Sequence, residues 1–309
     1  MMKGILTIAQ KEVKSAFRDK IFMIIVGLFV VLSVVSVYIG SSTKNALLQA
    51  YQDIVNLLKT QGTTTFPAPP VIFPLSILHN IINYVSMIGA VVAIFLGFEA
   101  FSGERDNGTL KLIAARPVYR DQIVTGKLLG GGMVIGLLLG VILIFNLALF
   151  GLVAGLTPSL NEIGKLILFF IFAFLYMMLF YTATLFVSIK VSDSAYGFML
   201  MMIVWIAASF VLPQMAESQK SFAYALNSTA QTVTQLPTDT ATSKIIEGFS
   251  PTAHFQNIGE DFMEVIPETA AMSIAGILYR NMMAIVSILL LELALLLVSY
   301  RAVRKEGVV

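Results

Sequence analysis

The 309-residue chain contains no cysteine, one tryptophan and two histidines, and only 12% of it is charged. Without cysteine there is no disulfide framework, no thiol nucleophile and no thiolate metal site. The two histidines, His79 and His254, stand in no HExxH pattern, so a metalloprotease has little to be built from. A soluble domain carries about a quarter of its residues as charges, roughly twice the share found here. The formal net charge of +2 is too small to point to nucleic acid. Hydrocarbon takes the place of charge: 57% of the residues are hydrophobic, 22 of them are Phe, and the mean hydropathy is +0.86. This is the composition of an integral membrane protein.

Crossing about 30 Å of hydrocarbon takes roughly 20 apolar residues in a helix, and six stretches meet that length. They cover about 21–40, 75–101, 128–156, 166–189, 195–213 and 277–300. The expected fold is therefore an all-α polytopic membrane protein. Residues 1–20 form a separate head, 21–309 a six-span domain, and 41–74 and 214–276 lie outside the membrane. Of the 20 Lys and Arg, fourteen fall before the first span, between spans two and three, between four and five, and after the sixth. The remaining six, Lys44, Lys59, Lys165, Lys220, Lys244 and Arg280, fall on the other side. The excess places both termini in the cytosol, and the plasma membrane is the expected location. The first apolar run is of full span length with no small-x-small cleavage site after it, so it reads as an uncleaved anchor.

In the head, Leu6, Ala9, Val13, Ala16 and Phe17 share one helical face and Lys3, Lys11, Lys14 and Arg18 the other. Such a helix lies in the plane of the headgroup layer, where its lysines meet anionic lipid. Outside, residues 45–59 read as an amphipathic helix with Leu47, Leu48, Tyr51, Ile54, Val55 and Leu58 on one stripe, followed by a proline-rich linker. Residues 214–276 hold too little apolar surface for a core of their own and are expected to form helices capping the spans.

Within the spans, Glu292 lies midway along the sixth, where an unpaired carboxylate costs on the order of 3 kcal/mol. It needs a polar partner or a proton, and Asn146 is one candidate partner. Glu99 lies near the cytoplasmic end of span two. Gly132, Gly136 and Gly140 line one face of span three, which lets another helix approach closely. The 15 methionines, with no M-x-x-M or M-x-x-x-M ladder facing an obvious pore, read as packing material.

The exception to this apolar pattern is FSGERDNGTLKLIAARPVYRDQIVTGK, residues 101–127, between spans two and three. Asp106-Asn107-Gly108 signals a turn, Thr109 can cap a helix, and LKLIAA supplies about two helical turns before Arg116. Pro117 suits the first position of a new helix running into span three. The pattern predicts a short helix across the membrane plane, bracketed by charge. A solvated connector that merely obeys the positive-inside rule is the competing reading.

Glu104-Arg105-Asp106-Asn107-Gly108-Thr109-Leu110, then Arg116-Pro117, Arg120 and Gly126-Lys127, resemble the pattern E-x-R-x-x-G-T-L, x-P-x-x-R, G-K of ABC-2-type permeases. These are the membrane subunits of ATP-binding cassette transporters, and the subset that includes the permease for nitrous oxide reductase maturation looks nearest. The resemblance implies that the loop is a coupling helix seated on a cytosolic ATPase, with two permeases and two ATPases in the working unit. Leu110, Leu112 and Ile113 would be its apolar anchors. Glu104, Arg105, Asp106, Arg116 and Arg120 would be its rim of charges. Gly126-Lys127 precedes leucine and lacks the upstream glycine of a P-loop, so the chain holds no nucleotide. ATP and Mg are expected on the partner, and an exporter is the implied activity. An intramembrane hydrolase and an ATP-independent secondary transporter are the alternatives. The hydrolase would need Glu99, His79 and Glu292 at one depth, and the secondary transporter an inverted repeat.

Overall fold

The computed structural model describes residues 2–63, 65–106, 108, 119–154, 158–227 and 232–306. Helix α1 (Met2–Ala16) is followed by α2 (Lys20–Thr60), α3 (Pro74–Asp106), α4 (Arg120–Ala154), α5 (Leu160–Lys190) and α6 (Ser194–Ser218). A hairpin of β1 (Ser221–Asn227) and β2 (Thr232–Thr238) comes next. Four short helices follow: α7 (Ala241–Glu247), α8 (Pro251–Phe262), α9 (Pro267–Ala270) and α10 (Ile274–Arg280). The last helix is α11 (Met282–Glu306). Helices α2, α3, α4, α5, α6 and α11 are each long and apolar enough to cross a membrane. The protein is thus an all-α polytopic membrane protein. The side expected to face the cytosol is called the basic side below.

Three boundaries differ from the sequence reading. Residues 45–59 do not form a separate helix, because Gly40-Ser41-Ser42 does not break the chain and α2 runs unbroken for 41 residues. At 1.5 Å per residue it is about 60 Å long, and the linker after it folds back so that the Tyr51 hydroxyl donates to the Pro67 carbonyl at 3.1 Å. The sixth span starts at Met282 instead of Ile277, since Asn281 interrupts the helix and donates its side-chain amide to Ile277 O and to Asp261. The external segment contains an antiparallel hairpin, pairing Ser221 with Thr238 through Asn227 with Thr232, where only helices were expected.

Helix α5 is central, with Phe169, Ala173, Tyr176, Met177, Phe180, Tyr181 and Leu185 buried. Around it, α3 and α6 each contain π turns, at Val85–Gly89, Glu99–Gly103 and Ala207–Val211. A π turn shifts the hydrogen-bond ladder and leaves carbonyls to be satisfied by other groups, which inside a membrane must come from the protein. Each of the three is satisfied that way. Tyr176 Oη donates to Ser86 O at 2.6 Å, Ser250 Oγ to Ala208 O at 2.6 Å, and Lys127 Nζ to Ala100 O. The third π turn precedes Pro213, whose ring and missing N–H disturb the ladder of α6 at the carbonyl four residues earlier.

Helix α8 is inserted among the spans, which goes beyond a cap. Ser250 caps its first turn by accepting from Ala253 N, and Pro251, Thr252, Ala253, Phe255, Ile258 and Gly259 are buried. Phe255 stacks on Tyr176 at 4.6 Å between ring centroids. Thr252 Oγ1 bonds both Tyr176 Oη at 3.1 Å and Ser209 Oγ at 2.9 Å, so one polar chain joins two π-bulged spans through α8. On the same side, Lys165 is fully buried, donating to Glu264 Oε1 at 2.9 Å and to Ala270 O at 3.0 Å. That pairing ties α5 to the turn after α8, where Glu264 takes a left-handed φ of 56°.

Gly40 faces the backbone of the turn Pro74–Leu78, and a Cβ there would run into the Ile77 carbonyl, whereas Gly27 in the same helix faces open space. Gly40→Ala should therefore destabilise the purified protein by about 1–3 kcal/mol of overpacking, seen as a lowered thermal midpoint in detergent. Gly27→Ala should leave the midpoint unchanged or slightly raised.

Candidate coupling site and intramembrane polar groups

On the basic side α1 lies across α4. Two glycines of α4 allow the approach: a Cβ at Gly126 would come within 2.7 Å of Ile8, and one at Gly130 within 2.6 Å of Glu12. This contact places Glu12 beside Lys127, whose ammonium is completely buried. Lys127 Nζ lies 3.0 Å from Glu12 Oε1 and 2.9 Å from Glu104 Oε2, and sits 4.9 Å from the centre of the Phe101 ring. Lys11 pairs with the other oxygen of Glu104. The Tyr181 hydroxyl donates to the Lys127 carbonyl at 2.8 Å, and its ring fills the space that the absent side chain of Gly131 leaves. Two carboxylates and two ammonium groups therefore join α1, the end of α3 and the start of α4 in one alternating chain.

Arg105 turns toward α5. Its guanidinium donates to Ser188 O at 2.8 Å, Val191 O at 2.7 Å and Ser192 O at 3.1 Å, so it caps the carbonyl end of that helix. A cation there also meets the negative end of the helix dipole. Asp106 accepts from Ser194 Oγ at 2.8 Å at the start of α6. Gly108 has φ +70° and donates its N–H to Arg105 O at 3.0 Å, closing the turn that the sequence signalled. At the other flank of the loop, Asp121 accepts from Arg304 at 2.7 Å and Thr125 bonds Tyr300 at 2.9 Å, which fastens the start of α4 to the end of α11.

The expectation that Glu104, Arg105 and Asp106 form an outward rim is corrected by these contacts. Glu104 is only 7% exposed, and all three side chains engage the protein's own helices. Thr109, Leu110, Leu112, Ile113, Arg116 and Pro117 lie outside the described residues, and Arg120 is described only through the backbone that opens α4.

Behind the charge cluster is a cavity of about 290 Å³, lined by Glu12, Asp19, Glu99, Glu104 and Lys11 together with Phe22 and Tyr181. Glu99 thus belongs to the neighbourhood of the loop's flank, at the opening of the second π turn of α3. Glu292 is elsewhere and accepts from Thr182 Oγ1 of α5 at 2.9 Å. Asn146 is not its partner; fully buried, it donates to Ser33 Oγ of α2 at 3.2 Å and to Ile142 O of its own helix at 2.8 Å. His79 stands on the opposite side, bonding Ser76 O. Glu99, His79 and Glu292 are not brought together. Sequence reasoning gave no structural role to Glu12, Lys127, Tyr181 or Thr182, and the signal for Lys127 was its place in the Gly126-Lys127 pair that closes the motif of the charged loop.

The opposite side holds a smaller polar cavity of about 170 Å³ between α6, α7 and α8, lined among others by Glu217, Lys220, Glu247, Asn257 and Glu260. Lys220 pairs with Glu217 at 2.6 Å, which raises its pKa. Burial, then the nearby charge of Asp261, pushes the Glu260 carboxyl above the usual carboxylate range, with His79 and Lys220 opposing.

Six candidate spans, a head helix packed on α4 and a charged turn fastened at its flanks between spans two and three define a polytopic helical membrane protein. Residues 6–308 match the model of the ABC-2 family transporter proteins, and the chain belongs to that family. It is 27% identical over 136 residues to a probable ABC transporter permease protein NosY of Stutzerimonas stutzeri, covering 44% of this chain and 41% of the relative. It is 26% identical over 136 residues to the protein of the same description in Pseudomonas aeruginosa, covering 44% and 42%. The matches thus span about two fifths of each relative's length. As an ABC-2 family member with six candidate spans, the chain is a transmembrane permease of the ABC transporter type.

Lys127→Met would leave Glu12 and Glu104 facing one another out of water and should cost about 3–5 kcal/mol, read as loss of monodisperse protein in detergent and a lower melting point. Adding Glu104→Gln should recover part of that loss. Lys11→Ala, at a half-exposed position, should cost less than about 1 kcal/mol; equal losses for Lys127 and Lys11 would contradict the burial described. For Glu260, a folded pKa above the unfolded one means that stability present below the ordinary glutamate pKa is lost as pH rises through the raised value. Thermal scans should show Glu260→Gln melting above the parent at neutral pH and converging with it near about pH 4, whereas a pH-independent offset would exclude the linkage.

Proposed function

We propose that this permease forms half of the membrane pathway of an ATP-driven exporter in the plasma membrane. It would pair with a second permease copy and be driven by two copies of a separate cytosolic ATPase that carry ATP and Mg. The loop of residues 102–127 is the contact with the ATPase, and both termini face the cytosol. The observation that carries the reading is the fastening of this loop at both flanks. On one flank Glu104 and Arg105 tie it to α1, α4 and α5; on the other Asp121 and Thr125 tie it to α11.

A displacement applied at the flanks of such a loop reaches α1, α4, α5, α6 and α11 through short polar contacts. Alternating access requires a two-state membrane element biased by the partner's nucleotide state, and this anchoring provides the mechanical input to it. Glu104, Arg105 and Asp106 are positioning residues in this scheme. Leu110, Leu112, Ile113 and Arg116 are assigned the contact itself, through the family resemblance of their motif. In this scheme the nucleotide is held by the partner, while Gly126 and Lys127 of this chain are occupied in helix packing and ion pairing. The two named relatives are described as ABC transporter permeases, which supports the same reading. An intramembrane hydrolase is disfavoured by the separation of Glu99, His79 and Glu292 onto different levels and partners.

The test is a mild-detergent pull-down of the tagged chain from native membranes, with identification of partners and an ATPase assay on the eluate. A stoichiometric ATPase is expected, and Leu112→Asp combined with Ile113→Asp should remove it while the permease keeps its elution profile and melting point. A chain that purifies without any ATPase would refute the proposal.

A further inference from the structure

The in-plane helix α1 and span α4 touch closely only over part of their length. Beyond Gly130 they diverge, and an open groove of about 700 Å³ lies between them, lined by Gln10, Val13, Lys14, Met133, Gly136 and Leu137. Its walls are largely hydrocarbon, and Met133 and Leu137 are exposed along it. Its floor is shallow because a Cβ on Gly136 would find its nearest neighbour, Phe174, 3.8 Å away, and one on Gly140 would meet nothing within 4 Å. Above the groove, at Gly140, the face of α4 is open.

The mouth of the groove is chemically different from its interior. Lys14 and Gln10 are exposed there on α1. Lys11, one residue-turn away, is committed to Glu104, whereas Lys14 has no ion pair or hydrogen bond among the described residues. An ammonium and a carboxamide beside an open hydrocarbon-lined groove complement an anionic phospholipid in charge and polarity. We infer that this groove is a binding site for a single anionic phospholipid of the leaflet on the basic side, with its phosphate on Lys14 and Gln10 and one acyl chain along Met133, Gly136 and Leu137. The site lies outside the loop of residues 102–127, so it does not depend on the ATPase contact proposed above. The bound lipid completes the wall that α1 leaves open against α4 and holds the head at a fixed depth.

The full-length protein, exchanged into mixed micelles with phosphatidylglycerol or with phosphatidylcholine of the same acyl chains, would be examined by native mass spectrometry for retained lipid. One phosphatidylglycerol per chain is expected to survive release from the micelle, in preference to phosphatidylcholine. A lysine near a membrane surface contributes enough for Lys14→Gln to lower that occupancy about fivefold, while Arg18→Gln, just beyond the end of α1, should leave it within about twofold. Gly136→Leu should displace the lipid by filling the slot. Met133→Trp fills it from the outer wall and serves where the glycine variant melts early. Equal retention of the two lipids, equal losses for Lys14→Gln and Arg18→Gln, or parental occupancy in both slot-filling variants would each overturn the assignment.

Discussion

A charge or an open backbone carbonyl inside hydrocarbon has no water to turn to, and most of what is specific in this protein answers that constraint. Lys127 is the clearest instance. Its ammonium is completely buried and is stabilised by Glu12 from the head, Glu104 from the end of α3 and the carbonyl of Ala100 that a π turn releases. Remove the ion and three groups, on α1 and α3, lose their common partner. The same logic recurs at Lys165 on the opposite side and, without formal charge, in the Tyr176, Thr252 and Ser209 chain. Apolar contact brings the helices together in no particular register, since lipid tails are as apolar as leucine. The polar links specify the register.

The three π turns fit this picture. Each is an irregularity that exposes a carbonyl, and each carbonyl is taken by a side chain from a different part of the sequence: α4, α5 or α8. A ladder defect and its remedy form one unit, because neither has a reason to exist without the other. For the permease activity proposed above, the placement matters. One defect lies beside the charged loop and two lie around the inserted helix α8, so the points where the spans depart from regular helix are those where they join the parts outside the membrane.

The spans were legible because length and apolarity alone decide them, and α1 because its lysines and apolar residues alternate with helical period. The loop was legible as a turn at Gly108, whose positive φ the sequence implied. The direction of Glu104 and Arg105 was not. Charges in a loop read as solvated by default, and only the three-dimensional approach of α1 through Gly126 and Gly130 turns Glu104 inward. Lys127 and Lys165 were counted as markers of topology, and their burial depends on carboxylates 23 to 115 residues away. The partner of Glu292 was sought in an amide of span three, when a threonine hydroxyl on α5 supplies it. The hairpin carried a readable signal in the alternation of Phe222, Tyr224 and Leu226 and in the β-branched Thr232, Val233 and Thr234, which the polarity of the surrounding segment concealed.

Helix α2 has a mechanical consequence. Its first turn is capped by Asp19 and its Phe22 lines the acidic cavity beside the loop, so its base rests on the same elements that hold Lys127. Its 41 residues are about twice the roughly 20 that crossing the hydrocarbon takes. A rigid rod pivoting at its foot multiplies displacement: a tilt of roughly 5° there swings the far tip by about 5 Å, given the length that 41 helical residues impose. The linker strapped back along it at Tyr51 and Pro67 would travel with it. A sub-ångström adjustment among buried charges at one surface of the membrane can therefore appear, amplified like the stroke of a lever, some 30 Å beyond the other.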